Sequence, residues 1–384
     1  MKIVFIGTEL AQVGPRGGAI ERLVWGWAHQ LARESYDVYI LSWGEVNCGH
    51  QVHVSDLDAL IENQTEIAPD VTIVNNRPLW GPLLQGPIVH ILHNSLGALA
   101  IDDSEHAREV LGNDLVLCVS SWLAIHLADE LSLSIPPYLL PVFVDDAFMG
   151  DLSGPRFVCC NSDSASNNMG KTPGPGDQHK LLRTKGQIQR NSLGPGDQCN
   201  SLGPGDQRNV LFPNRLMAKK GVQVLLDALE ILGPPWHGIF PFYISPWTIP
   251  TDEHLQLARE IENHEMASLV EAFVNPWEMA QAMNSSEIVA VCSIEPEGLG
   301  IAALESQALG IKTVTCRSGG LIEATFSPNI TCEPNNPVEL ARAIVEIDFQ
   351  GEDEKGKRVK LSSDLAQIYG IEASTSVLKR HLNC

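Results

Sequence analysis

A glycine-bearing segment in the C-terminal third of the chain has the composition of an anion-binding turn. Residues 288–292 form an apolar run that is typical of a buried parallel strand. Gly298 and Gly300 follow, and from Ile301 onward apolar residues recur at helical spacing. A strand, a glycine turn and a helix in this order present backbone N–H groups to an anion at the helix N-terminus. The segment therefore predicts an anion site in an α/β sheet.

Two carboxylates, Glu297 and Glu305, flank this turn and have seven residues between them. Eight steps along a helix span about 12 Å. That is roughly the distance from the sugar to the ribose of a sugar nucleotide whose diphosphate lies on the turn. One carboxylate could hold sugar hydroxyls and the other ribose hydroxyls.

Two cations, Arg215 and Lys220, lie five residues apart between a predicted strand at 209–213 and the following helix. Both side chains can point at one diphosphate, the arginine as a bidentate fork and the lysine as a point charge. Preorganised cations stabilise the negative charge that grows on a departing diphosphate. The pair is notable because the chain as a whole is acidic.

A first β-α unit opens the chain, with an apolar strand at Lys2–Gly7 and a helical repeat that runs from Ile20 to Glu34. Gly17 and Gly18 lie at the helix entrance, where glycine lets the backbone approach a phosphate closely. From these residues alone, an ordinary turn from a loop into a helix is an equally good interpretation.

The segment from Ser293 to Glu323 resembles the donor-site signature of retaining GT-B glycosyltransferases, in particular glycosyltransferase family four. That signature contains E-G-F/L-G-x-x-x-x-E and a later G-G-x-x-E. The matching residues here are Ser293, Glu297, Gly298, Leu299, Gly300, Glu305, Gly310, Gly319, Gly320 and Glu323. The family also has an R-x-x-x-x-K-G element, matched by Arg215, Lys220 and Gly221, and a G-G pair matched by Gly17 and Gly18.

A histidine in the family's active-site cleft is matched by His93, at the end of an apolar strand at 88–92. Strand C-termini are where open α/β sheets bind ligands. The resemblance therefore implies that His93 contacts the transferred sugar or the acceptor. Histidines at strand ends also serve as structural hydrogen-bonding groups, and that alternative stays open.

The chain departs from the family pattern at several positions. Asn214 replaces a glycine before Arg215, and Val142 and Phe143 replace an asparagine and a glycine in an otherwise similar turn. Ser245 and Pro246 stand where many family members have a glycine-rich turn. These changes put in doubt the family roles of those turns.

The resemblance implies two Rossmann-like domains facing a cleft. We expect an acceptor domain at 1–149, a donor domain at 209–352 and a helical tail at 353–384 that returns to the first domain. The expected reaction transfers a hexosyl unit from a UDP- or GDP-linked sugar to an acceptor hydroxyl, with retention.

Each site residue takes a role in this expected reaction. Arg215 and Lys220 would neutralise the diphosphate, Glu297 would hold the sugar and Glu305 the ribose. Backbone N–H groups of Gly298, Leu299, Gly300, Ile301 and Gly18 would complete the anion site. The family needs no metal, since cations and helix dipoles replace it, and no cofactor is expected beyond the donor substrate.

The net charge, the cysteine spacing and the length of the apolar runs argue against several classes of protein. The formal charge is −21 over 384 residues, which argues against nucleic-acid binding. The nine cysteines show no C-x-x-C spacing, so free thiols are expected. The N-terminus has no signal-peptide core, and no apolar run approaches the roughly 20 residues of a membrane span. We expect a cytoplasmic enzyme of carbohydrate biosynthesis whose acceptor is a small molecule, a lipid-linked group or a polysaccharide.

Residues 150–208 interrupt the pattern. GPGDQ occurs three times there, and Pro, Gly, Ser, Asn and Gln dominate without hydrophobic periodicity. We interpret the segment as a low-complexity insert in the linker between the domains. Loop-closure entropy grows slowly with length, so such an insert need not prevent the domains from docking.

Three alternatives to this hypothesis differ in the chemistry that they require. An epimerase, or a polymer-extending synthase resembling glycogen synthase, would use the same fold for other chemistry. An inactive scaffold or binding protein would keep the fold without turnover. A nicotinamide-dependent oxidoreductase is excluded because no G-x-G-x-x-G follows the first strand.

Overall fold

The computed structural model describes residues 1–7, 13–14, 18–43, 51–149, 207–242, 250–272 and 275–382. Two parallel β-sheets, each flanked by helices, make up two α/β domains. Gly17, the turn at Ser245 and Pro246, and nearly all of the predicted insert lie outside the described residues. The prediction of two Rossmann-like domains is confirmed.

The N-terminal domain has a sheet in the order β3-β2-β1-β4-β5-β6-β7, in which every pair is parallel. Its central strands are apolar throughout because helices cover both faces. The strands are β1 Lys2–Ile6, β2 Asp37–Ser42, β3 Gln51–His53, β4 Val71–Asn75, β5 Ile88–Leu92, β6 Leu115–Cys118 and β7 Tyr138–Leu139. The helices are α1 Ala19–Arg33, α2 Leu57–Ile67, α3 Ser104–Asn113 and α4 Ser121–Leu131.

The C-terminal domain has a six-stranded parallel sheet in the order β10-β9-β8-β11-β12-β13. Its strands are β8 Arg208–Leu211, β9 Trp236–Pro241, β10 Ala267–Val270, β11 Ile288–Val291, β12 Lys312–Cys316 and β13 Ile330–Cys332. Its helices are α5 Val222–Leu232, α6 Asp252–Glu262, α7 Pro276–Asn284, α8 Ile301–Ala308 and α9 Pro337–Asp348. In both sheets the strand order reverses beside the first strand, which creates the crevice where open α/β sheets bind ligands.

Two helices follow the second sheet, α10 Glu352–Ile368 and α11 Ile371–Leu382. The last one packs against α1 in the N-terminal domain. Trp27, fully buried on α1, donates its indole N–H to the Ser374 hydroxyl at 2.7 Å, and that hydroxyl donates to the Pro141 carbonyl. Val144 N–H donates to the Tyr369 carbonyl at 2.8 Å. The chain thus ends on the domain in which it begins.

One element boundary differs from the sequence-based expectation. The helical tail expected at 353–384 is divided into two helices at 369–370. The stretch that carries Val142 and Phe143 follows the short strand β7 and leads into the loop that contains Asp145. In the part of the chain that the structure describes, no helix combines the length and apolar character that crossing a membrane requires.

Candidate functional site

The anion-binding turn lies between β11 and α8. Gly300 precedes the helix with φ 93°, a left-handed conformation that favours glycine, and no side chain caps α8. The residue before the helix therefore offers no side-chain acceptor to the first backbone N–H groups of α8. The helix dipole adds positive potential at the same place. This geometry suits a phosphate.

Close backbone packing holds the turn in place. Gly320 N–H donates to the Glu297 carbonyl at 2.8 Å, and Glu297 pairs with Gly319 as an isolated β-bridge. A Cβ on Gly320 would overlap the Gly298 carbonyl, and a Cβ on Gly298 would overlap the carbonyl of His93 in the other domain. The G-G of the signature is thus the surface on which the E-G-L-G turn rests.

The Glu297 carboxylate, after β11, contacts the Lys220 ammonium, after the neighbouring strand β8. Its Oε1 accepts from both the Lys220 ammonium and the Ser293 hydroxyl. Both charged side chains are largely buried, at 17% exposure for Lys220 and 16% for Glu297. The structure therefore brings together a predicted cation and a predicted acid that are far apart in sequence.

Lys220 is positioned by the tight turn that ends at Gly221. That glycine has φ 82°, and a Cβ there would overlap the backbone of Cys292, where β11 ends. Close contact between the two segments sets the lysine beside Glu297. Arg215 lies nearby in sequence but its side chain is exposed, and among the described residues it forms no ion pair. It is therefore available to an anion at the surface.

Glu305 lies one turn into α8 and is buried, with 6% of its side chain exposed. Its Oε1 accepts from the Arg22 guanidinium of α1 at 2.8 Å. Burial raises the pKa of the Glu305 carboxyl, Arg22 opposes that rise, and Asp145 adds to it. Sequence reasoning did not single out Arg22, although it lies in the same G-G-A-I-E-R element as Gly18.

A pocket lies beside this pair, between the two domains. It is lined by Ala19, Arg22, Leu23, Phe143, Asp145, Ile301 and Glu305. Gly18 is the residue before α1 and has no side chain to cap that helix. The N-termini of α1 and α8, each preceded by a glycine without a side chain to cap the helix, are thus next to the pocket.

The His93 ring is buried within the N-terminal domain. Its Nε2 lies 3.3 Å from Asn75 Oδ1, and its ring centroid is 6.2 Å from that of Trp27. Burial lowers the His93 pKa to about 3, so the imidazole is neutral at physiological pH. The part of His93 that contacts the E-G-L-G turn is its backbone carbonyl, against Gly298.

Two further residues join the domains around the turn. The Ser120 hydroxyl donates to the Gly298 carbonyl, and it also accepts from Leu123 N–H at the start of α4. The Glu323 carboxylate accepts from the N–H groups of Ser121, at 2.8 Å, and of Trp122. The last residue of the G-G-x-x-E motif therefore binds the N-terminus of a helix in the opposite domain.

Residues 207–347 match the family model described as glycosyl transferases group 1. This match spans the C-terminal domain, and the two domains together have the GT-B fold of glycosyltransferases. No curated protein sequence matches the chain significantly.

Solved structures similar to the chain include sucrose-phosphate synthase from Thermosynechococcus elongatus, at 13% identity, with a TM-score of 0.74 and coverage of 100% of this chain and 98% of that one. The Anabaena protein HepE, in complex with UDP-glucose, gives 15% identity and a TM-score of 0.70, over 100% and 99%. A glycosyltransferase from Rickettsia africae gives 16% and 0.69, over 99% and 98%. At these identities the likeness is one of fold.

Proposed function

We propose that this protein is a retaining glycosyltransferase that moves a hexosyl unit from a UDP- or GDP-linked sugar to an acceptor hydroxyl. The observation that carries the proposal is the composition of the β11–α8 unit. Glu297 precedes α8 and pairs with Lys220, no side chain caps the helix, and Glu305 in its first turns lines a pocket together with Ile301. A similar protein, HepE, is solved with UDP-glucose. The match of the donor domain to group 1 glycosyl transferases supports the same chemistry.

In this proposal the donor diphosphate lies against the α8 N-terminus. Lys220 and Arg215 supply cationic charge, and the first N–H groups of the helix donate hydrogen bonds. Lys220 and Glu297 form an ion pair with each other. In the complex with the donor, the diphosphate also attracts the Lys220 ammonium, and the sugar hydroxyls donate hydrogen bonds to the Glu297 carboxylate. Glu305 holds the ribose hydroxyls.

The chemical step breaks the bond between the anomeric carbon and the leaving phosphate oxygen, and a bond to the acceptor oxygen forms on the same face. The acceptor proton passes to the leaving phosphate oxygen, so no separate base is required. Negative charge grows on the diphosphate as it leaves, and the cations stabilise this charge more than the ground state. His93 acts in this proposal through its backbone carbonyl, which packs against Gly298, while its neutral imidazole stays inside the N-terminal domain.

The test combines donor binding with two variants. Thermal shifts against UDP-, GDP- and TDP-linked sugars identify the donor, because a ligand that binds only the folded state raises the melting temperature. Lys220→Ala should lower the affinity for both UDP and the UDP-sugar by about 10- to 100-fold, the effect of losing a hydrogen bond to a charged group. Glu297→Ala should weaken the UDP-sugar but leave UDP nearly unchanged, and it should abolish transfer.

The products separate the alternatives. Proton NMR of the new linkage reports whether the anomeric configuration is retained. A donor that isomerises without an acceptor would indicate an epimerase, and a donor that binds without any turnover would indicate a binding protein. Full transfer activity in a folded Glu297→Ala protein would refute the role given to that carboxylate.

A further inference from the structure

The ion pair between Arg22 and Glu305 joins the two domains at the point where the proposed donor enters. Arg22 belongs to α1 of the N-terminal domain, and Glu305 belongs to α8 of the C-terminal domain. The two residues are 283 positions apart, yet Nη2 and Oε1 lie 2.8 Å apart. Both line the pocket between the uncapped ends of α1 and α8.

Both partners are largely removed from water. The side chain of Glu305 is 6% exposed and that of Arg22 is 17% exposed. The guanidinium carbon also lies 6.0 Å from the centre of the Phe148 ring, a cation–π distance. When a buried carboxylate loses its cationic partner, its ionised form strongly destabilises the folded protein unless the group takes up a proton. The arginine is therefore the group that keeps Glu305 ionised.

The charges around Glu305 make this dependence stronger. Asp145, in the loop after β7, is a second acid that lines the same pocket and disfavours ionisation of Glu305. Helix α8 carries no other charged side chain. The tail helix α10 meets α8 through the Ser362 hydroxyl, which donates to the Ala308 carbonyl. Arg22 is thus the cation that acts on this carboxyl, with Asp145 acting against it.

We infer that Arg22 is a positioning residue of the donor site, which holds Glu305 ionised and oriented to accept the ribose hydroxyls of a nucleoside diphosphate. The inference rests on the proposed function. Ribose hydroxyls donate to an ionised carboxylate at two oxygens, whereas a protonated carboxyl has lost part of that capacity. Arg22 occupies one side of Oε1, which leaves further acceptor sites on the carboxylate for the ribose.

The inference predicts a change in pH dependence rather than a uniform loss. In Arg22→Met the cation is gone, so the Glu305 pKa rises further above its ordinary value. The ionised form binds donor, so affinity falls as pH drops through this raised pKa. UDP binding, with GDP in parallel, is measured by calorimetry from pH 5.5 to 8.5. We expect Arg22→Met to bind more weakly than wild type at the acid end of this range, by up to about 10-fold for each unit of further rise in the pKa, and to recover as pH rises.

Two further variants identify the route of the effect. Arg22→Lys keeps the charge and should restore most of the affinity and the wild-type pH profile. In the Glu305→Gln background, Arg22→Met should have little further effect and no pH dependence, since residues that act as a unit are not additive. An equal loss at every pH that persists in the Glu305→Gln background would show that Arg22 contacts the donor itself, and would overturn the inference.

A second measurement needs no donor. The folded state of Arg22→Met holds the Glu305 proton more tightly than the unfolded chain does. Burial raises the Glu305 pKa in wild type as well, and the loss of Arg22 raises it further. The stability deficit of the variant relative to wild type should therefore grow as pH rises from the wild-type folded pKa to that of the variant. Glu305→Gln should remove that growth. If the deficit is independent of pH, the pairing does not govern the charge of Glu305. If wild type binds neither nucleotide but shows this pattern, the proposed function fails and the pairing stands.

Discussion

His93 shows how a residue can lie at the predicted place and still present a different group to the site. It follows β5 at the carboxyl edge of the first sheet, where ligands bind. Its imidazole turns into the domain, toward Asn75 and Trp27, while its carbonyl lies against Gly298. The strand end determines where the backbone goes, and the local packing determines where the ring goes.

The first prediction concerns the charge of this histidine. Burial lowers its pKa to about 3, so the His93 imidazole stays neutral throughout the range from pH 5 to 9. The pH profile of kcat/KM should show no inflection that disappears in His93→Gln. His93→Ala should reduce stability by about 1–3 kcal/mol through a lost hydrogen bond and a cavity, measured by urea unfolding.

A comparison of the two variants separates structure from catalysis. His93→Gln retains a polar side chain that can bond to Asn75, so it should recover much of the stability. If an inflection between pH 5 and 8 is present in wild type and absent in His93→Gln, then the histidine titrates in the working enzyme, and the buried neutral state is not the active one.

At the scale of the element, the β11–α8 unit depends on glycines for space as well as for conformation. Gly298 contacts the backbone of the opposite domain, whereas Gly320 contacts the backbone of Gly298 within its own domain. At position 300, by contrast, glycine is required because the backbone there has a φ of 93°. The signature therefore combines three different physical requirements within a short stretch.

The second prediction uses these two glycines as a pair. Gly320→Ala should destabilise the C-terminal domain by about 1–3 kcal/mol or more, because the added methyl overlaps backbone that cannot move away. Gly298→Ala should leave that domain stable and force the domains apart. Urea unfolding measures the first effect, and donor turnover with small-angle X-ray scattering measures the second.

The outcomes are distinct for the two variants. A compact Gly298→Ala protein with wild-type turnover would show that the contact between the turn and His93 is not used during catalysis. A Gly320→Ala protein with unchanged stability would show that the turn and the G-G pair can separate at no cost.

The elements that could be predicted from sequence were those with a strong hydrophobic pattern. β1 and β11 are continuous apolar runs in the centre of a sheet, and α1 has a clear apolar face. β3 was not predicted, because it is a three-residue edge strand whose sequence, QVH, contains one apolar residue. α3 was also missed, although its buried residues recur at helical spacing.

The site could be predicted from sequence only within local segments. The turn, its flanking acids and the basic pair each lie within a few residues of one another. The pairing of Arg22 with Glu305, and of Glu323 with the start of α4, joins residues more than 200 positions apart. Such pairs follow from how the two domains dock, which a pattern in one chain segment does not contain.

At the scale of the whole molecule, two regions hold the domains together. One is the crevice, where Ser120, Glu323 and the pair of Arg22 and Glu305 cross between domains. The other is the last helix, which packs on α1 and bonds to Trp27 through Ser374. We expect the attachment of the last helix to persist when the crevice contacts break, so that opening would be a hinge motion rather than a separation.

The third prediction concerns Glu323 as the contact that resists this opening. Its carboxylate accepts from two first-turn N–H groups of α4, and an anion at a helix N-terminus contributes about 0.3–2 kcal/mol. Glu323→Ala should therefore increase the open population up to about 30-fold, since 1.4 kcal/mol is a factor of ten. Amide exchange of a peptide containing residues 121–124, followed by mass spectrometry, measures the change.

The matched control is Asn336→Ala, which removes the cap of α9 inside the C-terminal domain. Asn336 accepts from Glu339 N–H at 3.1 Å and touches no residue of the other domain in that contact. This variant should lose a similar amount of stability without faster exchange at 121–124. If both variants accelerate exchange there equally, opening is global unfolding. If Glu323→Ala leaves exchange unchanged, the remaining contacts hold the domains together. Opening of the crevice for the donor would then not require free energy to break the contact between Glu323 and α4.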